Sequence, residues 1–213
     1  MIAIVPMKAY SERIPHKNIR IFNGKPLFCW ILESLLAAKT VSFVVVNTDC
    51  PVIGAMVRER YPQVCVLYRP DHLRGDMITA SDLIRWTIPQ LVGDYFLYTH
   101  STNPLLMPET IDTAVNFYLN HTDEYDSLFG VTKHQFRLYR EDGTPVNHNP
   151  KNLIRSQDLS PIYEDNSNLY LFSRDAFEKY ESRICGRTYM FEIPKIEAID
   201  IDTEDDWRIA EAV

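Results

Sequence analysis

Six short apolar runs dominate the chain: Ile2 to Val5, Phe43 to Val46, Val64 to Leu67, Tyr95 to Tyr98, Leu128 to Val131 and Leu169 to Phe172. They are nearly continuous in apolar character and show little alternation. A strand of that kind has water on neither face, so the runs demand a sheet covered by helices above and below. The intervening segments supply the helices. Pro26 opens one that carries Leu27, Trp30, Ile31, Ser34 and Leu35, and Pro51 and Pro108 stand at the starts of two more. Strand, helix, strand order with short links implies right-handed crossovers and an α/β fold with a predominantly parallel sheet. The loops that follow the strands then share one edge, where ligands of open α/β sheets bind.

The alternation breaks between about residues 132 and 168, where EDGTPVNHNPKN supplies turn chemistry without helical periodicity. This stretch reads as an insertion into a single domain spanning 1–213, serving as a plain surface excursion or as a dimerisation arm or substrate cap. A net charge of −7 disfavours nucleic acid and anionic membrane surfaces, which both require a dominant basic footprint. A small anionic ligand needs only a few positioned cations and stays compatible with that balance. The opening MIAIVP has no basic n-region and runs into a strand, and no apolar run approaches membrane-span length, so a cytoplasmic protein is expected. Cys29, Cys50, Cys65 and Cys185 lie far apart without a CxxC pair, which suits unpaired buried thiols better than zinc or disulfides.

Two segments concentrate chemistry. The loop after the first strand, Met7 to Asn18, gathers Lys8, Arg13 and Lys17 with the Ser11 hydroxyl, a set suited to gripping a polyphosphate and its leaving group. It matches neither GxxxxGK[ST] nor GxGxxG, which argues against a Walker-type ATPase and a dinucleotide dehydrogenase. Taken alone, a basic loop is more often a solvated surface. Near the other end, Glu197 to Trp207 reads as a strand running into a helix, with Asp200 and Asp202 on one strand face and Ile199 and Ile201 on the other. Two carboxylates so placed suit Mg²⁺, which prefers oxygen ligands and bridges to substrate phosphates. Thr203 as N-cap with acids in the first turn explains Glu204, Asp205 and Asp206 without any ligand.

Three further loops, Asn47-Thr48-Asp49, Arg69-Pro70-Asp71 and Thr99 to Pro104, follow strands and open on the same edge. Their side chains suit a base, a ribose or a sugar, and singly each is equally an ordinary turn former.

The ordered series VPMKAYSERIPHKNIR, GKPL, VVVNTD, LYRP, STNPLL, SQDLSPIYEDNSNLYLF and IDIDTEDDW resembles the cytidylyltransferases that activate sialic acids and related nonulosonic acids, with the 3-deoxy-octulosonate enzymes close behind. The likeness runs almost end to end. It implies a three-layer, Rossmann-like nucleotidyltransferase fold, a homodimer built partly by the irregular insertion, and transfer of CMP from CTP to the anomeric hydroxyl of an acidic sugar with Mg²⁺ present and pyrophosphate leaving. By position it implies that Lys8, Ser11, Arg13, Lys17, Asn18, Arg69, Thr79 and Asp82 hold CTP. His100, Thr102, Asn103, Arg155, Gln157, Tyr163 and Asn166 would hold the sugar. Asp200 and Asp202 would hold the metal and, with Lys8 and Lys17, form the catalytic set.

The chain departs from the family pattern in several places. The first loop loses a glycine and puts Glu12 where a lysine is expected, Lys8 replaces an arginine and so lacks its bidentate fork, Ala80 replaces a serine, and Ser167 replaces a glycine. A divergent branch with its own acidic acceptor accounts for these changes, the intact Asp200/Asp202 pair and Lys17 favouring it. The alternative of another class is a nucleotide-binding or dimerisation module with weak or lost catalysis.

Overall fold

The computed structural model describes all of residues 1–213. Nine strands form: β1 (Ile2–Met7), β2 (Ile21–Phe22), β3 (Lys25–Pro26), β4 (Phe43–Thr48), β5 (Cys65–Tyr68), β6 (Tyr95–Thr99), β7 (Ser127–His134), β8 (Ile162–Ser173) and β9 (Thr188–Glu192). Six α-helices accompany them: α1 (Leu27–Ala37), α2 (Pro51–Arg60), α3 (Ala80–Thr87), α4 (Pro108–Asn120), α5 (Arg174–Tyr180) and α6 (Glu204–Glu211). Seven strands make the main sheet in the order β5-β4-β1-β6-β8-β7-β9, and β2 and β3 form a separate hairpin. β1, β4, β5 and β6 run parallel, as does β9 beside β7, while β8 is antiparallel to both its neighbours. The sheet is thus mostly parallel, with one reversed strand.

Strand periodicity divides the core into two layers. Ala3, Val5 and Met7 of β1 face α1, α2 and α4, together with Val44, Val46 and Leu97. Ile2 and Ile4 point the other way, toward Ile84 and Ile88 near α3 and Phe177 of α5. Both faces of the strands are therefore dry, as their continuous apolar runs require. A third, smaller cluster of Ile14, Phe22, Leu27, Ile201, Trp207 and Ala210 docks α6 and the first loop beneath α1.

All six expected strands form, with bounds shifted by a residue or two at most positions. The strands around the insertion are longer: β7 and β8 continue past the sheet body as a paired arm, and the irregular segment between them narrows to residues 135–161. Turn chemistry alone did not disclose that polar residues such as Thr132, Lys133, Glu164 and Asp165 still pair across the ladder. β9, which the sequence analysis did not place, is an edge strand of exposed and half-buried residues, and although Thr188, Tyr189 and Phe191 favour strands it is only five residues long.

The segment holding Asp200 and Asp202 is a loop, which corrects the strand expected there. It has one ladder-like bond, from the Ile201 amide to the Thr102 carbonyl, and no neighbouring strand to extend it. The inward turn of Ile201 nevertheless survives, because Ile201 is fully buried in the third cluster. Thr203 caps α6 as expected, in a reciprocal box with Asp206. Cys29 and Cys185 are buried, Cys50 and Cys65 half-buried, and all four are free thiols.

Leu97, Leu171 and Leu128 sit side by side on β6, β8 and β7, all fully buried, where the reversed strand joins the parallel body. Leu171→Ala is expected to lower the unfolding free energy by about 2–5 kcal/mol in urea titration. The m-value should stay unchanged, because the loss is a cavity in the native state.

Candidate active site

The first loop crosses the carboxyl end of β1 and is tied down on several sides. The Ala9 amide donates to Asp49 Oδ1 at 2.6 Å, beyond the end of β4. Asn18 Nδ2 donates to the Lys8 carbonyl at 2.8 Å, and the Ser101 hydroxyl donates to Asn18 Oδ1 at 2.5 Å, linking the loops after β1 and β6. Lys17 is 9% exposed, and its ammonium reaches the Ile201 carbonyl at 2.6 Å and Asp202 Oδ1 at 3.2 Å. Arg13 Nη2 meets the same Asp202 oxygen at 2.7 Å. The two ends of the chain, 184 residues apart, are joined here by hydrogen bonds and charge.

These residues wall a cavity of about 490 Å³ at the carboxyl ends of β1, β5 and β6, beside Ser167 of the reversed β8. Lys8, Arg13, Lys17, Arg69 and Arg183 face it, as do Glu12, Asp76, Asp200 and Asp202. Five cations against four carboxylates make the cleft close to neutral inside a protein of net charge −7, which is where a polyanion finds its counter-charges. Lys8 pairs with Asp76 across the mouth at 2.9 Å, so three of the cations already hold carboxylates that an anionic ligand would displace.

Arg69 is held differently. It is 5% exposed, with Nε donating to Asn47 Oδ1 at 2.6 Å and Nη2 to the Asn47 carbonyl at 3.1 Å, and Asn47 in turn donates to Thr87 at 2.7 Å. Burial lowers its pKa, opposed by the nearby Asp49 charge. Asn47, expected in a ligand-facing loop, is instead a fully buried β4 residue that orients this guanidinium.

Burial pushes the Asp200 carboxyl up to about 6, with Asp202 adding to the rise while Thr102, Lys17 and Arg13 oppose it. Asp200 Oδ1 is buried without a hydrogen-bond partner. An orphaned carboxylate oxygen beside a second carboxylate is a donor set that fits a hard divalent cation. No group of three or more His, Cys, Asp or Glu converges anywhere, so such an ion would draw its remaining oxygens from water and substrate phosphate.

The residues singled out in the sequence separate into two groups. Lys8, Ser11, Arg13, Lys17, Asn18, Arg69, His100, Thr102, Asp200 and Asp202 line the cleft. Thr79 and Asp82 do not: they form the reciprocal cap of α3, which satisfies the amides at that helix start. Asn103 is fully buried beside the β6 loop with neither amide atom paired. Arg155 and Gln157 belong to the arm, where Arg155 pairs with Asp158 and the Gln157 carbonyl accepts from Gln135. Tyr163 is exposed on β8 opposite Lys133. Asn166 is buried, donates to Thr132 at 3.1 Å, and faces a neighbouring cavity that shares Ser167, Asp200 and Asp202 with the main one. The arm carries these positions away from the cleft because β7 and β8 continue pairing beyond the sheet.

Sequence reasoning missed Arg183 and Tyr98, and it had Ser101 only as one member of the Thr99 to Pro104 loop. Tyr98 ends an apolar run and reads as core, and Arg183 lies in SRICGR, which has no motif spacing. His100 is pinned by burial and by Arg183, which together lower its pKa to about 3, so it stays neutral at ordinary pH. It accepts a hydrogen bond from Arg183 Nη1 at 3.2 Å.

A helix-covered, mostly parallel sheet with a cation-lined cleft and a carboxylate pair at its carboxyl edge defines a nucleotide-binding α/β protein of the nucleotidyltransferase kind. The sequence model of the cytidylyltransferase family matches residues 2–202, and the chain belongs to that family. It is 25% identical over 217 residues to an N-acylneuraminate cytidylyltransferase of Streptococcus agalactiae, covering 97% of this chain and 51% of the relative. It is 26% identical over 220 residues to a pseudaminic acid cytidylyltransferase of Campylobacter jejuni, covering 98% and 94%. The chain thus spans about half the length of the N-acylneuraminate relatives and nearly all of the pseudaminic one. A solved CMP:2-keto-3-deoxy-manno-octonic acid synthetase in complex with CTP shares the fold, with a TM-score of 0.73 at 15% identity over 99% of this chain and 96% of that one.

The Asp200 shift has a sign that can be measured. The folded protein binds this proton more tightly than the unfolded chain, so stability is lost as pH rises from the ordinary carboxyl value of 3.8 through about 6. Asp200→Asn, neutral throughout, is expected to exceed the parent in unfolding free energy at pH 8 by on the order of 1–3 kcal/mol in chelator-treated buffer. The two should converge below pH 4, as followed by urea unfolding across pH.

Proposed function

We propose that this chain is an Mg²⁺-dependent cytidylyltransferase that transfers CMP from CTP to the anomeric hydroxyl of an acidic sugar of the nonulosonic or octulosonic kind, releasing pyrophosphate. Membership of the family supports the class of reaction, and the names of the relatives support the class of acceptor. The observation that carries the reading is the convergence of Lys8, Arg13 and Lys17 with Asp200 and Asp202 in one cleft.

The chemistry asks for positioning and charge. Attack of the sugar hydroxyl on the α-phosphorus breaks the bond to the β-phosphate oxygen, and negative charge grows on the departing pyrophosphate. Lys8, Arg13 and Lys17 would meet that charge, each leaving the carboxylate that it pairs with. Arg69, held by Asn47 and unable to swing away, suits a fixed contact to the nucleoside. Asp200 and Asp202 would hold Mg²⁺, which supplies Lewis-acid charge stabilisation to phosphate oxygens when bound. Glu12 faces the same cleft, which favours a nucleotide approach that keeps the polyphosphate on the Lys17 side.

The reading includes a homodimer. Phe136, Tyr139, Val146, Leu153 and Ile154 are exposed on or beside the arm, more apolar surface than a solvated excursion needs. A cytoplasmic site of action accords with this chemistry, since CTP is an intracellular nucleotide, and no helix is long and apolar enough to cross a membrane.

The test is pyrophosphate release from CTP and Mg²⁺ with sialic, legionaminic, pseudaminic and octulosonic acids. Turnover of at least one acid is expected. Asp202→Ala should reduce it on the order of a hundredfold or more while CTP-free thermal unfolding stays cooperative. CTP binding without turnover across the panel would instead favour a nucleotide-binding module, and unchanged turnover in the variant would remove the metal role from Asp202.

A further inference from the structure

Among the cations that face the cleft, Arg183 stands in a distinct electrostatic position. Lys8, Arg13 and Lys17 each hold a carboxylate within 4 Å, and Arg69, which pairs with none, has its Nε and Nη2 edge taken by Asn47. Arg183 holds no carboxylate: it takes part in none of the twelve ion pairs of the chain. It is half-buried, and its guanidinium lies over Tyr170 at 3.8 Å and near Tyr98 at 5.3 Å from the ring centres. Its one hydrogen bond runs from Nη1 to His100 Nε2.

That arrangement fixes the fork without neutralising it. Two aromatic rings hold the plane, an uncharged histidine acceptor fixes one nitrogen, and Nε and Nη2 keep their donors for a ligand. A planar edge of two parallel N–H groups matches a carboxylate bidentately. The place in the sheet assigns the ligand. Arg183 follows α5 and stands over β6 and β8, with His100 and Tyr170, while Arg69 stands over β4 and β5 and the lysines over β1. The phosphate-gripping loop and the buried arginine lie over β1, β4 and β5, and the Arg183 corner over β6 and β8 remains for the second substrate.

We infer that Arg183 is a specificity-determining residue that docks the carboxylate of the acidic acceptor through the free edge of its guanidinium, with His100, Tyr98 and Tyr170 as its positioning residues. This rests on the proposed cytidylyl transfer for the identity of the second substrate. The charge-free cradle has a physical consequence: an acid gains a charge-assisted pair there, whereas the same sugar as its carboxamide leaves the half-buried cation uncompensated.

The experiment compares N-acetylneuraminic acid, octulosonic acid and pseudaminic acid with their carboxamides, on the wild type and on Arg183→Gln and Arg183→Lys. Binding is read by calorimetry in the presence of CDP, and KM for acid and for CTP by pyrophosphate release. The wild type should prefer at least one acid over its amide by on the order of tenfold to a hundredfold. Arg183→Gln should lose that preference and raise KM for the acid while KM and Kd for the nucleotide stay unchanged, and Arg183→Lys should recover part of it. An unchanged nucleotide Kd also shows that the variants are folded. The inference is overturned if Arg183→Gln keeps the preference, if nucleotide KM rises as much as acceptor KM, or if the wild type binds no acid of the panel. Turnover with preserved discrimination in Arg183→Gln would leave cytidylyl transfer standing and remove Arg183 from it. Acid binding that depends on Arg183 without pyrophosphate release would do the reverse.

Discussion

The Lys17 ammonium, drawn out of water between the Ile201 carbonyl and the Asp202 carboxylate, is the contact on which the site depends. A buried cation is costly unless it is paired and hydrogen-bonded, and this one meets both needs with groups from the far end of the chain. The same contact sets the height of the Asp200–Asp202 loop over the sheet, which has no strand partner of its own. Ile201 completes the anchor from below by filling the cluster with Trp207 and Phe22, so that the acids on either side of it are left facing the cleft.

Around that anchor the cleft is internally charge-balanced. Asp202 holds both Arg13 and Lys17, and Asp76 holds Lys8, so in the proposed reaction a triphosphate would reach these three cations by exchanging partners. On the proposed function the exchange would link nucleotide and metal: an ion on Asp202 would release the cations that the phosphates take, and phosphates that take the cations would free Asp202. The two should bind with positive coupling by simple linkage. Arg69 and Arg183 are exceptions for different reasons, the first held by the buried Asn47 amide, the second braced by rings and a neutral histidine. The neutrality of His100 follows from burial and from Arg183 itself, which makes that corner insensitive to pH in the physiological range.

Much of the site was legible before the structure. The strand runs order the sheet, and the loops after β1, β5 and β6 reach one edge, as parallel topology requires. Lys8, Arg13, Lys17, Asp200 and Asp202 share a cleft, although the two aspartates get there from a loop. Local patterns misled where a residue had a second occupation. Thr79 and Asp82 match a binding pattern in sequence, yet a Thr followed three residues later by Asp is also a helix cap, and the cap is what α3 uses. Arg155, Gln157 and Tyr163 sit on an arm whose direction is set by ladder pairing between polar residues, which carries no hydrophobic signal.

What the amino-acid sequence determined by itself is the class of fold and the residues of the first loop and of the last acidic segment, because apolar periodicity and clustered charge are properties of neighbours along the chain. What only the tertiary structure decided is which charges cancel. Lys17 with Asp202 and Lys8 with Asp76 are ion pairs separated by 185 and 68 residues, while Arg69 and Arg183 have no carboxylate partner and are held by the neutral Asn47 and His100. Electrostatic compensation depends on distance in space and on burial, and neither can be read from position along a chain.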